Sequence, residues 1–93
     1  MKVTPDIVRY EFIGTEAKVA DSSHDNYVGL RGRVIGETRN TFDLQKEGQV
    51  KRIVKESAVF DFKFEDGTVV EIDGKLLVGR PEDRLKKNIK RLW

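Results

Sequence analysis

No cysteine occurs among the 93 residues, so disulfides, thiolate metal sites and cysteine nucleophiles are excluded. The single histidine, His24, stands in the loop SSHDN. With no second histidine or cysteine at ligand spacing, it reads as an ordinary loop residue, and no metal site is expected. Apolar runs are all short: none approaches the ~18 residues of a membrane span, and no signal-peptide stretch opens the chain, so a cytoplasmic location is expected. A phosphate-cradling loop is also missing, because the glycines of GLRGRVIG lead into a strand pattern and not into a helix. Asp61 and Glu71 fall on outward positions of neighbouring strands, where carboxylates are solvated or paired with a cation such as Lys63. Nothing here points to catalysis by the chain itself.

What is present is charge. Hydrophobic residues make up 38% and charged residues 37% of the sequence, enough to fold one domain, residues 1–93, with a heavily ionised surface. The net charge of +2 conceals an asymmetry: residues 75–93 hold seven basic and two acidic side chains. The C-terminal end therefore concentrates the positive field. Such an end suits a polyanion, since Lys and Arg displace the counterions condensed on phosphates; it equally describes a solvated, capped helix.

Thr4-Pro5-Asp6 has the composition of a helix start and Gly14 that of a stop, so a short helix over 5–13 is expected after a tail of 1–4, with Ile7, Val8, Phe12 and Ile13 widening one apolar stripe. The period then drops from about 3.6 to 2, which marks strands from 17 to 78. Residues 28–37 alternate Val28, Leu30, Gly32, Val34 and Gly36 inward against Gly29, Arg31, Arg33, Ile35 and Glu37 outward. Two glycines on the inward set suit sharp bending or close backbone approach. Phe42 and Leu44 face inward on the next strand. Ala58, Phe60, Phe62 and Phe64 alternate with polar neighbours and lead into EDGTVVEID. A three-residue Glu65-Asp66-Gly67 loop with left-handed Gly67 pairs Phe64 with Thr68, Phe62 with Val70 and Phe60 with Ile72, whereas a two-residue loop would set Phe62 against Glu71. Asp73-Gly74 turns the chain into a last short strand over 75–78, and Pro81 opens a basic helix over 81–92. The fold class predicted is mainly β: a strongly bent antiparallel sheet or small barrel flanked by short N-terminal and C-terminal helices.

Candidate binding residues follow from this layout. Arg31, Arg33, Arg39, Lys51, Arg52 and Lys55 lie on or near outward positions, Asn40 and Thr41 add neutral hydrogen-bond groups at a loop, and Lys75, Arg80, Arg84 and Lys87 belong to the basic end. The mixture fits RNA, which is read through phosphate and 2′-OH more than through base sequence; scattered surface charge is the plain alternative. The polar stretch GETRNTF, residues 36–42, carries both options within it, an RNA contact or a turn locked by its own side chains. Ile35 is apolar on an outward face, and with the helix residues Ile7, Val8, Phe12 and Ile13 it forms the candidate docking surface for a protein partner.

Three segments carry a family resemblance: GLRGRVIGETRNTF, KRIVKESAVFDF and DGKLLVGRPEDRLKK. In order and spacing they resemble the archaeal ribonuclease P protein component 1 family, the counterpart of the eukaryotic Pop four subunit, from about Asp6 to Lys87. The resemblance implies an Sm-like barrel and an RNA-binding subunit of ribonuclease P, the ribonucleoprotein that removes the 5′ leader from precursor tRNA. It implies that the large RNA with its Mg²⁺ is the catalyst, that the chain binds no cofactor, that a zinc-ribbon protein subunit is its partner, and that precursor tRNA is met indirectly. A monomer is expected for the isolated chain; an Sm-type homo-oligomer binding single-stranded RNA is the alternative.

Overall fold

The computed structural model describes residues 3–84. Lys87 and the remainder of the predicted C-terminal helix lie outside the described residues. The strands are β1 Glu16–Ser22, β2 Arg31–Glu37, β3 Thr41–Lys46, β4 Gln49–Val54, β5 Ala58–Lys63 and β6 Val69–Asp73, and α1 Pro81–Arg84 follows them. They form one six-stranded sheet in the order β4-β3-β2-β1-β5-β6, antiparallel at every pairing. Among the described residues the sheet does not close into a barrel: β4 and β6 are its edges.

It is nevertheless sharply curled. Phe42 on β3 and Phe60 on β5 are separated by two strands, so about 14 Å would part them in a flat sheet. Their ring centroids stand 5.4 Å apart. Two register shifts, between Val19 and Asp21 and between Val34 and Gly36, supply the curl, since a bulge bends its strand and increases the local twist. Gly32 permits close approach of β2 to β3, because a Cβ there would stand 2.6 Å from the carbonyl oxygen of Gln45. The concave side holds one core with Phe12, Phe42, Phe60 and Phe62 at its centre. Phe12 stacks on Phe62 with centroids 4.2 Å apart.

The β5–β6 hairpin has the predicted register: Phe60 opposite Ile72 and Phe62 opposite Val70. The Phe64 amide donates to the Thr68 carbonyl at 2.9 Å, and Gly67 is left-handed at φ 87°. Elsewhere the elements differ from expectation. The N-terminal helix is a single 3₁₀ stretch, Pro5–Arg9, with Tyr10 extended at its end and a turn over residues 12–15 beyond it. This suits a segment too short to hold a helix by itself. Residues 74–77 form a 3₁₀ turn in place of a strand, where the Asp73 side chain accepts from the Lys75 amide at 3.0 Å. Val28 lies outside β2 and is exposed.

Candidate nucleic-acid interface

The polar stretch 36–42 is where the sheet meets the C-terminal segment. The bulge between Val34 and Gly36 shifts the alternation, so Glu37 pairs with Phe42 on the core side and not on the outward face expected for it. There its carboxylate meets two cations. Lys55 Nζ donates to Glu37 Oε2 at 2.6 Å, and Arg84 Nη1 donates to the same oxygen. All three side chains are buried, Lys55 and Arg84 at 0% exposure. Backbone carbonyls satisfy the rest of the cations. Lys55 Nζ donates to the oxygens of Thr38 at 2.8 Å, Arg39 at 3.3 Å and Gly79 at 3.0 Å. Arg84 donates to those of Val8 at 2.7 Å, Leu77 at 3.0 Å, Gly79 at 2.6 Å and Tyr10 at 3.1 Å. Aromatic faces complete the enclosure, with Lys55 Nζ 4.7 Å from the Phe42 ring centroid and the Arg84 guanidinium 5.8 Å from that of Phe12.

This buried knot corrects two of the predicted RNA contacts: Lys55 and Arg84 have no surface to offer. It also corrects three of the predicted docking residues, because Ile7, Val8 and Phe12 belong to the core, whereas Ile13 at 47% and Ile35 at 41% are exposed. The sequence signal that could have revealed the knot is Glu37, an acid at the end of a strand one residue past a glycine, but the bulge that turns it inward has no local signature.

Around the knot, the surface is polar and basic. Thr38 and Thr41 lock their own turn: their hydroxyls are 2.6 Å apart, and the Thr41 amide donates to Thr38 Oγ1 at 3.1 Å. Arg39 and Asn40, at the tip, stay exposed. The turn is thus locked by Thr38 and Thr41, while Arg39 and Asn40 present their side chains to solvent. The Gly79 amide donates to the Arg39 carbonyl at 2.7 Å, which sets the exposed Arg80 beside them. Lys75 is exposed on the preceding 3₁₀ turn.

The convex side of the sheet carries a second group. Arg31 lies opposite Lys18 and Arg33 opposite Glu16. Arg33 is partly neutralised there, 3.3 Å from the Glu16 carboxylate, and donates to the Gly14 carbonyl at 3.0 Å. Arg52 forms a two-point pair with Asp43, at 2.9 and 3.3 Å. That hydrogen bond, with the attraction of the same carboxylate, raises the guanidinium pKa further. Lys51 is exposed on β4 opposite Leu44, on the other side of the strand from Arg52. Across β5 and β6 the sign changes. Glu71, hydrogen-bonded to Asp61, has its pKa raised by that bond, by desolvation and by the charges of Asp61 and Asp21. Polyanion binding is thus favoured on the β1–β4 half and opposed on the β5–β6 half. Among the described residues no group of His, Cys, Asp or Glu could hold a metal ion, and no helix is long and apolar enough to cross a membrane.

Residues 5–87 match the family described as ribonuclease P/MRP, subunit p29. The chain is 48% identical over 94 residues to the ribonuclease P protein component 1 of Methanococcus maripaludis, covering 98% of each chain. It is 44% identical to that of Methanocaldococcus jannaschii, covering 98% of this chain and 97% of the other. Among solved structures, Mth11, described as a homologue of the human RNase P protein Rpp29, superposes with a TM-score of 0.61 at 43% identity, covering 81% of this chain and 97% of that one. With a family match across nearly its whole length, the chain belongs to the ribonuclease P/MRP subunit p29 family.

Proposed function

We infer that the protein is a subunit of ribonuclease P that supports the RNA component in tRNA processing and is not itself the catalyst. Family membership carries the assignment to the enzyme. RNA is met by the exposed cations Arg39, Arg80, Lys75, Arg31 and Lys51, with Asn40 beside them. Arg33 and Arg52 contribute less, because Glu16 and Asp43 already hold them. Thr41 serves the turn.

Ile13 and Ile35 are assigned to the protein partner, a zinc-ribbon subunit of the same particle. The curled, twice-bulged sheet is read as Sm-like, and the family as the counterpart of the eukaryotic Pop four subunit. Mg²⁺ belongs to the RNA, and the particle to the cytoplasm. One observation supports a second reading: among the described residues β4 and β6 are the edges of the sheet, and an Sm-type ring of identical subunits would require such edges. A sedimentation mass separates the two, with a monomer expected.

The deciding experiment is cleavage of precursor tRNA by the cognate ribonuclease P RNA at limiting Mg²⁺, with the zinc-ribbon subunit present and this protein added or omitted. A gain in cleavage that depends on the chain is expected. Absence of any gain from folded, partner-bound protein would overturn the assignment.

A further inference from the structure

The knot does more than fill the end of the sheet, because it fixes which way the loop peptides point. Lys55 Nζ draws the carbonyls of Thr38, Arg39 and Gly79 inward, and Arg84 draws that of Gly79 as well. None of the described peptide bonds is cis. In a trans peptide plane the N–H points opposite to the C=O. The amides sharing those planes, on Arg39, Asn40 and Arg80, therefore point away from the buried cation on residues that are exposed. Among the described residues, none of these three amides has an acceptor. The bond from the Gly79 amide to the Arg39 carbonyl, 2.7 Å long, holds the two loops side by side. Beneath them, the side chains of Lys55 and Arg84 meet the Glu37 carboxylate in a dry setting.

We propose that the paired loops 38–40 and 79–80 form a phosphate-binding site in which the outward amides of Arg39, Asn40 and Arg80 grip one phosphate and the two arginine side chains flank it. Such a cradle of successive backbone amides is a recognised anion host, and fixed donors need no reorganisation when the anion arrives. Glu82 and Asp83 follow Arg80, and Glu11 lines the depression on that flank, so the anion sits on the Arg39–Asn40 side. Lys55, Glu37 and Arg84 act as positioning residues: they touch no ligand, and they orient the peptides that do. The proposal rests on the ribonuclease P reading only for the source of the phosphate, an RNA backbone.

The test is a titration of the ¹⁵N-labelled full chain with inorganic phosphate at constant ionic strength, with chloride as control, following the amide resonances. Saturable shifts at Arg39, Asn40 and Arg80 with phosphate, and none with chloride, are expected. The double variant Arg39→Gln/Arg80→Gln keeps the amides and loses the side chains; its three resonances should still move, at lower affinity. Lys55→Met should weaken phosphate binding about tenfold, as the loss of one charge-assisted orienting contact implies. If that variant does not fold, the glutamine pair decides. Resonances that stay still in the wild type, or shifts abolished by the glutamine pair, overturn the site. Binding of the wild type to ribonuclease P RNA is measured in parallel. RNA binding without phosphate shifts defeats the cradle and leaves the enzyme assignment standing. Phosphate shifts without RNA binding support the cradle and defeat the assignment.

Discussion

On the β1–β4 half of this sheet, the carboxylates of Glu37 and Asp43 each meet cations and behave oppositely. Glu37 and its cations are enclosed by Phe42, Phe12 and a ring of carbonyls, whereas Asp43 and Arg52 meet on the convex face with the arginine largely in water. The chemistry is the same and the surroundings are not. In water the gain from pairing is nearly cancelled by screening and side-chain entropy. Away from water, each charge depends on its partners, because an ion left behind cannot be resolvated. The enclosed group therefore belongs to the architecture and the exposed one to the adjustable surface.

Breaking the enclosed side should give the largest effect. Glu37→Ala leaves Lys55 and Arg84 buried without their anion and should cost about 3 to 5 kcal/mol, read from thermal or urea unfolding; a loss under about 1 kcal/mol would mean that water enters the knot and the contrast is not one of burial. Phe62→Ala, an apolar truncation of the same core, sets the scale at about 3 to 5 kcal/mol. Its thermal midpoint hardly moving would contradict the stacked packing on Phe12.

Turning to the surface, Arg39→Glu/Arg80→Glu should leave the unfolding transition near that of the wild type while lowering RNA affinity and reducing the slope of log affinity against log salt by about two. Unchanged affinity would remove the loop pair from the RNA interface. Arg52→Ala should shift neither stability nor RNA affinity appreciably, and a clear destabilisation would place the Asp43 pair with the enclosed group.

The smallest expected effect lies on the acidic half. Because the Glu71 pKa is raised in the fold, the native state holds its proton more tightly than the unfolded chain does. The associated stability is complete below the ordinary glutamate value and is lost as pH rises through the raised one. Glu71→Gln should be slightly more stable than the wild type at neutral pH and indistinguishable from it below about pH 4, near the ordinary glutamate range. A stabilisation that persists in acid would show that charge is not its cause.

The same contrast explains what could be read from the residues alone. The alternation around Phe60 and Phe62 and the turn chemistry of Glu65-Asp66-Gly67 are local, and they located the hairpin and its register. The polar stretch at 36–42 could be recognised as a junction, with its turn locked by Thr38 and Thr41 and its tip left to Arg39 and Asn40. The burial of Lys55 and Arg84 could not be read. Lys55 follows the last residue of β4 at the start of a 3₁₀ turn, where strand alternation no longer applies. Arg84 reads as any cation in a basic helix. Their shared partner lies 18 and 47 residues away in sequence, and it faces inward only because a bulge shifts its strand by one position. The apolar residues near the N-terminus carried the same ambiguity: a stripe that wants cover does not say whether the cover is its own core or another protein. Ile7, Val8 and Phe12 found the first, and Ile13 and Ile35 remain open to the second.

Arg84 also sets an order in time. Its donors reach the carbonyls of Val8 and Tyr10, 76 and 74 residues earlier in the chain, so the closing contacts are among the most distant in sequence that the molecule makes. During synthesis every strand emerges before this side chain, and at ~5–20 residues per second the sheet has seconds in which to pair with Glu37 and Lys55 still lacking their third member. Contacts of such span form late and at a high cost in loop entropy. The nascent domain thus has its hydrophobic core available before its ionic lock. The Gly79 carbonyl, beside the loop that carries Arg39, gains its Arg84 contact only when residue 84 arrives.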